Sequence, residues 1–187
     1  MKTLVTGFKP FLGASANPSE ILAGLLSQNS EGIDSLILPV EFKNSFEILK
    51  DHLQSNAYEN LILLGLASGR KNICFEKIAL NWVQTEHQDE AKSKPPTGKI
   101  ISSEPLAVMS LFPIDEIYSK LKSENHLVEI SFSAGTYVCN DLYFRCLTGI
   151  SIKTVFVHLP LIVEMDLETQ KSILLRSLEL VDSRGRD

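Results

Sequence analysis

Short apolar runs alternate along the chain with segments that are apolar on one side only. Residues 3–6, leading to Gly7, read as a strand, as do 35–40, 60–66 and 153–160. The run 60–66 is almost wholly apolar, the pattern of a central strand covered on both faces. The run from 153 stops at Pro160, which cannot extend a ladder. Residues 127–132 alternate and read as a further strand. Residues 73–82 also alternate, with Ile73, Phe75, Lys77 and Ala79 on one face and Cys74, Glu76, Ile78 and Leu80 on the other. That places Glu76 among three apolar neighbours. A helix is expected to open at Asn17-Pro18, a capping residue followed by a proline in the first turn. Its Ile21, Leu22, Leu25 and Leu26 recur at helical spacing. Other helices are predicted over 42–53, with Phe46, Leu49 and Leu53 on one stripe, over 115–122, from 141 to 147, and over 167–181, with Ile173, Leu174 and Leu178. Residues 84–104 are polar and contain Lys94-Pro95-Pro96-Thr97-Gly98. They read as a functional or mobile loop, and 184–187 as a polar tail. Strands separated by helices give an α/β fold, a sheet with helices on both faces. In such folds sites gather at the carboxyl ends of strands and in the loops that follow.

Composition narrows the classes. The chain has 187 residues, 44% apolar and 22% charged, with a net charge of −5. That suits one globular domain over residues 1–187. No basic face is evident, which argues against a nucleic-acid partner. No apolar run is long enough to span a membrane. The start reads as a strand and a turn rather than a signal peptide. Three cysteines without a CxxC pair argue against a disulfide framework and a structural zinc site. They suit a reducing cytoplasm.

The candidate chemistry centres on residues 133–141, Ser-Ala-Gly-Thr-Tyr-Val-Cys-Asn-Asp. Here a strand turns through small residues into a helix, which puts Cys139 at a helix N-terminus. Unpaired N–H groups and the macrodipole favour an anion there, so the thiol pKa is expected to fall. The competing reading is a buried structural thiol. Cys74 and Cys146 read as structural. A cysteine nucleophile needs a base and an orienting group. Of four histidines, only His158 ends an apolar strand where sites form. A carboxylate on an apolar face is costly unless paired. Glu76 is therefore either bridged to Lys77 or Arg70, or it accepts the Nδ1 proton of His158. Phe8 and Phe11 flank Pro10 in a loop and suggest an apolar wall. Residues 65–70, Gly-Leu-Ala-Ser-Gly-Arg, match neither a P-loop nor GxGxxG.

Six blocks occur in one order: Gly7-Phe8-Lys9-Pro10-Phe11, Asn17-Pro18, Gly65 with Gly69-Arg70, Glu76-Lys77-Ile78-Ala79-Leu80-Asn81, Ala134 through Cys139-Asn140, and His158-Leu159-Pro160. Together they resemble the pyroglutamyl peptidase I (pyrrolidone-carboxylate peptidase) family over nearly the whole chain. The resemblance implies a three-layer α/β/α sandwich with a mixed, mostly parallel central sheet. It implies a cytoplasmic cysteine peptidase that removes an N-terminal pyroglutamyl residue and forms a homo-oligomer, a dimer or tetramer, with no metal or cofactor. Its triad would fall on Cys139, His158 and Glu76. Substrate contacts would fall on Phe8, Phe11, Asn17, Leu66, Arg70, Tyr137 and Val138.

This sequence departs from the family pattern in places. Leu12-Gly13 stands for Gly-Gly, Leu66 and Ser68 stand for glutamine and glycine, and Tyr137 stands for phenylalanine. The span from Cys139 to His158 is shorter than usual. These changes keep two other readings open: a non-catalytic homologue that binds a pyroglutamyl-like ring, and a thiol amidohydrolase or acyltransferase with another substrate.

Overall fold

The computed structural model describes residues 2–11 and 13–182. In chain order the elements are β1 (Thr3–Phe8), α1 (Pro18–Asn29), β2 (Ile33–Leu38), α2 (Asn44–Gln54), β3 (Asn60–Leu66), β4 (Ile73–Glu76), β5 (Ile78–Leu80), β6 (Ala107–Met109), α3 (Ile114–Ser123), β7 (Val128–Ser131), α4 (Val138–Gly149), β8 (Lys153–Leu159) and α5 (Leu167–Asp182). Six strands form the main sheet in the order β2-β1-β3-β8-β4-β7. Neighbours are parallel except β4 and β8. β5 and β6 form a separate antiparallel pair. The sheet is thus mixed and mostly parallel, as expected.

Helices cover both faces, and the alternation of each strand decides which side chains meet which helix. Val5, Ile62, Leu64, Phe75, Val155 and Val157 pack with Leu22 and Leu26 of α1, Ile117 and Leu121 of α3, and Ile173 and Leu174 of α5. On the other face Leu4, Phe8, Leu61, Leu63 and Phe156 pack with Phe46 and Leu49 of α2 and with Val138, Leu142 and Tyr143 of α4. Three layers result. Among the described residues no helix is long and apolar enough to cross a membrane.

Asn17 caps α1 as its sequence suggests: its side-chain oxygen accepts from the Ser19 backbone N–H at 3.1 Å. Gly7 is required where α1 meets β1, since a Cβ there would lie 2.2 Å from the Ser19 carbonyl oxygen.

Two expectations change, and one strand is new. Residues 73–82 are not one strand. After Glu76 the chain leaves the main sheet at Lys77, and Ile78–Leu80 pair with β6 instead. The face shared by Glu76, Ile78 and Leu80 therefore does not exist, because the alternation runs on through a change of sheet. The helix expected from 141 starts at Val138, which puts Cys139 inside its first turn. β6 was not predicted; it is three residues long and mostly exposed, too short to carry a period. Leu12 and the tail 184–187 lie outside the described residues.

Candidate active site

The site lies on the face covered by α2 and α4. β8 carries His158 onto this face beside Phe156, and β3 brings Gly65 into register with His158. β4 runs antiparallel to β8, with Cys74 opposite His158 and Glu76 opposite Phe156. Glu76 and His158 are thus diagonal neighbours on one face, within reach of long side chains. His158 Nδ1 and Glu76 Oε1 are 2.7 Å apart. Glu76 is fully buried and His158 is 5% exposed.

α4 brings Cys139 over the same strands. Gly65 leaves room for it: a Cβ there would lie 3.2 Å from the Cys139 sulfur and 2.7 Å from the Phe156 ring. Asn140 fixes the start of the helix. Its side chain accepts from Leu80 N at 2.8 Å and donates to Leu80 O at 2.8 Å and Trp82 O at 3.1 Å. The capping position of α4 is Tyr137, whose side chain makes no capping bond. The first helical hydrogen bond runs from Asp141 N to Tyr137 O. The N–H groups of Val138, Cys139 and Asn140 thus precede the helical ladder and have no partner within it.

The thiol itself does not behave as the helix dipole alone predicts. Burial first, and then the nearby Glu76 carboxylate, push the Cys139 pKa up to about 12. The expected fall in pKa is therefore overturned. Desolvation and a like charge both disfavour the thiolate and outweigh the helix terminus.

A cavity of about 180 Å³ opens beside the sulfur, lined by Phe8, Phe11, Asn17, Val40, Leu66, Ala134, Tyr137, Cys139 and His158. It brings together seven of the ten residues singled out in the sequence. Three lie outside its lining. Glu76 stands behind His158. Val138 is buried in the core against the sheet. The Arg70 guanidinium is turned toward Glu76, Ser131 and Ser133. The two sequence-based readings of Glu76 prove compatible, because it meets both His158 and Arg70. The amide of Asn17 is spent on the fold: besides capping α1, it donates to Lys9 O at 3.2 Å and so braces the loop that carries Phe8 and Phe11. Val40 and Ala134 were not anticipated as lining residues. Val40 lies just past a strand end, and Ala134 in the small-residue turn, which are weak signals.

The polar segment 84–104 packs against this cavity. Buried Asp89 accepts from Phe42 N at 3.0 Å and from Ser93 N at 2.7 Å. Glu90 N donates to Val40 O at 3.0 Å. Thr136 Oγ1 donates to Gln84 O at 2.7 Å, and the Tyr137 hydroxyl to Gln88 O at 2.8 Å. The Tyr137 ring meets Phe42 edge-on at 5.2 Å. Its hydroxyl therefore serves the neighbouring loop. Burial, and then the charges of Asp89 and Glu90, raise its pKa.

The chain also resembles known proteins. The chain is 36% identical over 167 residues to the pyrrolidone-carboxylate peptidase of Thermococcus litoralis, covering 85% of this chain and 76% of that one. Its structure resembles pyroglutamyl peptidase I of Bacillus amyloliquefaciens, with a TM-score of 0.89, 29% identity and 94% of each chain covered. It also resembles the pyrrolidone carboxyl peptidase of Fervidobacterium islandicum, with a TM-score of 0.90, 30% identity, and 98% of this chain and 99% of that one covered. The sequence model of the pyroglutamyl peptidase family matches residues 1–180, a span that contains the whole cavity and the Glu76–His158 pair, and the chain belongs to that family.

Proposed function

We propose that this protein is a cysteine exopeptidase that hydrolyses the amide bond after an N-terminal pyroglutamyl (5-oxoprolyl) residue. The observation that carries the reading is the lining of the cavity. A thiol and an imidazole share it with three aromatic rings, and among the described residues no Asp, Glu, Lys or Arg lines it. An ordinary N-terminal amine is a cation and needs a carboxylate to bind it. Pyroglutamate is a neutral, flat lactam, which apolar walls suit. The volume of about 180 Å³ lies below the roughly 300–1,000 Å³ of pockets for drug-sized ligands, which suits one small ring.

In this reading Cys139 attacks the scissile carbonyl carbon. Its proton passes to His158 Nε2 during the attack, because desolvation and the Glu76 charge disfavour a resting thiolate. Glu76 accepts the Nδ1 proton in a hydrogen bond, fixes the tautomer and stabilises the imidazolium. The N–H groups that open α4 are donors for the oxyanion. Collapse of the tetrahedral intermediate breaks the C–N bond, and His158 gives its proton to the departing amine. Water, deprotonated by His158, then cleaves the thioester, releases 5-oxoproline and restores the thiol. Arg70 and Val138 reach a substrate in this scheme only through the backbone and through neighbours. The reading includes one catalytic domain over residues 1–187, a reducing cytoplasm that keeps Cys139 as a thiol, and a homo-oligomer, which light scattering tests.

Release of a fluorescent amine from pyroglutamyl, prolyl and alanyl amides tests the proposal. The expected result is release from the pyroglutamyl amide alone, lost in Cys139→Ala. Stoichiometric binding without turnover favours the ligand-binding homologue instead. Equal release from the prolyl amide contradicts the neutral-ring argument.

A further inference from the structure

We propose that Arg70 is a positioning residue for the reaction: it keeps Glu76 the unprotonated acceptor of the His158 Nδ1 proton and ties that carboxylate to the segment leading to Cys139. The inference rests on the reading in which Cys139, His158 and Glu76 act together.

The first argument is charge. Glu76 is fully buried, and a buried carboxylate is costly unless it is paired. A protonated Glu76 cannot stabilise the imidazolium that forms at His158. The groups that face it come from several elements. Cys139 and Tyr143 come from α4, the latter through its hydroxyl on the Glu76 carbonyl at 2.7 Å. His158 comes from β8. Cys74 shares its strand, with Glu129 of β7 beyond it at 3.9 Å. Lys77 is next in the chain, but its ammonium is held by Asp115. None of these brings a permanent positive charge to the carboxylate. Arg70 does: its Nη2 lies 3.0 Å from Oε1, the oxygen that also meets His158. The other oxygen, Oε2, is buried with no hydrogen-bond partner among the described residues. The ionised state of Glu76 thus leans on the Oε1 side, and there on Arg70.

The second argument is geometry. The same Nη2 lies 3.0 Å from Ser131 Oγ and 3.2 Å from the Ser133 carbonyl. Ser131 ends β7, and Ser133 opens the turn that leads to Cys139. One guanidinium nitrogen therefore links the carboxylate behind the base to the root of the nucleophile's turn. The turn at Arg70 is itself closed, with Arg70 N donating to Ala67 O at 3.0 Å. Because Arg70 does not line the cavity, its effect passes through Glu76 rather than through the substrate.

The test compares Arg70→Met, Arg70→Gln and Arg70→Lys with wild type on a pyroglutamyl amide across pH 5–9. In the Met and Gln variants kcat should fall on the order of 10²-fold with KM little changed. The acidic limb of kcat/KM should move up by about one pH unit as Glu76 becomes easier to protonate. The Lys variant should move the limb back and recover part of the rate. Added to Glu76→Gln, Arg70→Met should cost nothing further. An unmoved acidic limb overturns the proposal, whatever the rate, and so does a rise in KM at constant kcat. If the Met and Gln variants do not fold, the Lys variant decides: a partial loss of kcat with a limb moved part of the way supports the proposal, and wild-type kcat with an unmoved limb overturns it. A second readout needs no substrate. The NMR signal of the His158 Nδ1 proton, which reports its hydrogen bond to Glu76, should change on acidification at higher pH in the variants than in wild type. Should wild type prove inactive on pyroglutamyl amides, the functional reading fails, while this titration still supports or sinks the role of Arg70.

Discussion

The two faces of the central sheet are built from the same strands, one residue apart, and they do different work. The face under α1, α3 and α5 is mostly hydrocarbon. The void found there, lined by Val5, Ile62, Phe75, Val155 and their helical partners, measures about 10 Å³. The face under α2 and α4 begins in the same way with Leu4, Leu61 and Leu63. Farther along it, Gly65, Glu76 and His158 replace large apolar side chains, and the 180 Å³ cavity opens. Neighbouring residues thus face opposite fates: Leu64 packs the closed side while Gly65 makes room for a sulfur. Because the strand period is two, a slip of one residue would exchange these sets. The closed face therefore holds the register on which the reactive face depends.

Mutations can separate the two. On the open face, Glu76→Gln should lower kcat by about 10³–10⁴-fold, since the base loses its orienting anion, with only a modest shift in melting temperature. A large loss of stability at near-normal turnover would make Glu76 a structural bridge instead. On the closed face, Leu64→Ala should cost about 2–5 kcal/mol and leave kcat/KM of the folded protein nearly unchanged. Denaturant unfolding combined with assays well below the midpoint would read both. Alkylation then sharpens the contrast. With the Cys139 pKa pushed up to about 12, iodoacetamide modification of the free protein should keep rising roughly tenfold per pH unit past pH 9. Peptide mapping would separate Cys139 from buried Cys74 and Cys146. A rate already level at pH 7 would mean a resting thiolate–imidazolium pair, against the proton transfer proposed here. The smallest effect is expected at Tyr137→Phe. It removes one hydrogen bond to Gln88 O, worth about 0.5–1.5 kcal/mol, and should change KM a few-fold while raising proteolytic cleavage within 84–104. An unaltered digestion pattern would show that the hydroxyl does not fasten the loop.

Much of this frame was legible before any coordinates. β3 falls on its predicted residues, and the cap at Asn17 behaves as its type demands, because local rules govern them: apolar period, proline in a first turn, a side-chain acceptor for an orphan N–H. The break at Lys77 was hidden because alternation says which side a residue faces, not which sheet it has joined. The loop 84–104 read as polar and as functional or mobile, yet Asp89 is buried, because its partners Phe42 and Ser93 cannot be inferred from polarity. The Cys139 pKa ran opposite to the helix-dipole argument for a related reason. A terminus can be read locally, but burial and a carboxylate 63 positions earlier in the chain cannot.

The sequence by itself determined the alternation of strands and helices, the residue types needed for thiol chemistry and, through six ordered blocks, the family. Only the tertiary structure decided that β4 runs antiparallel to β8, which sets Glu76 diagonally from His158. It alone turned Arg70 toward that carboxylate and the Tyr137 hydroxyl toward Gln88. Backbone propensity and periodicity act over a few residues, whereas the pairing of buried charges depends on which distant strands become neighbours.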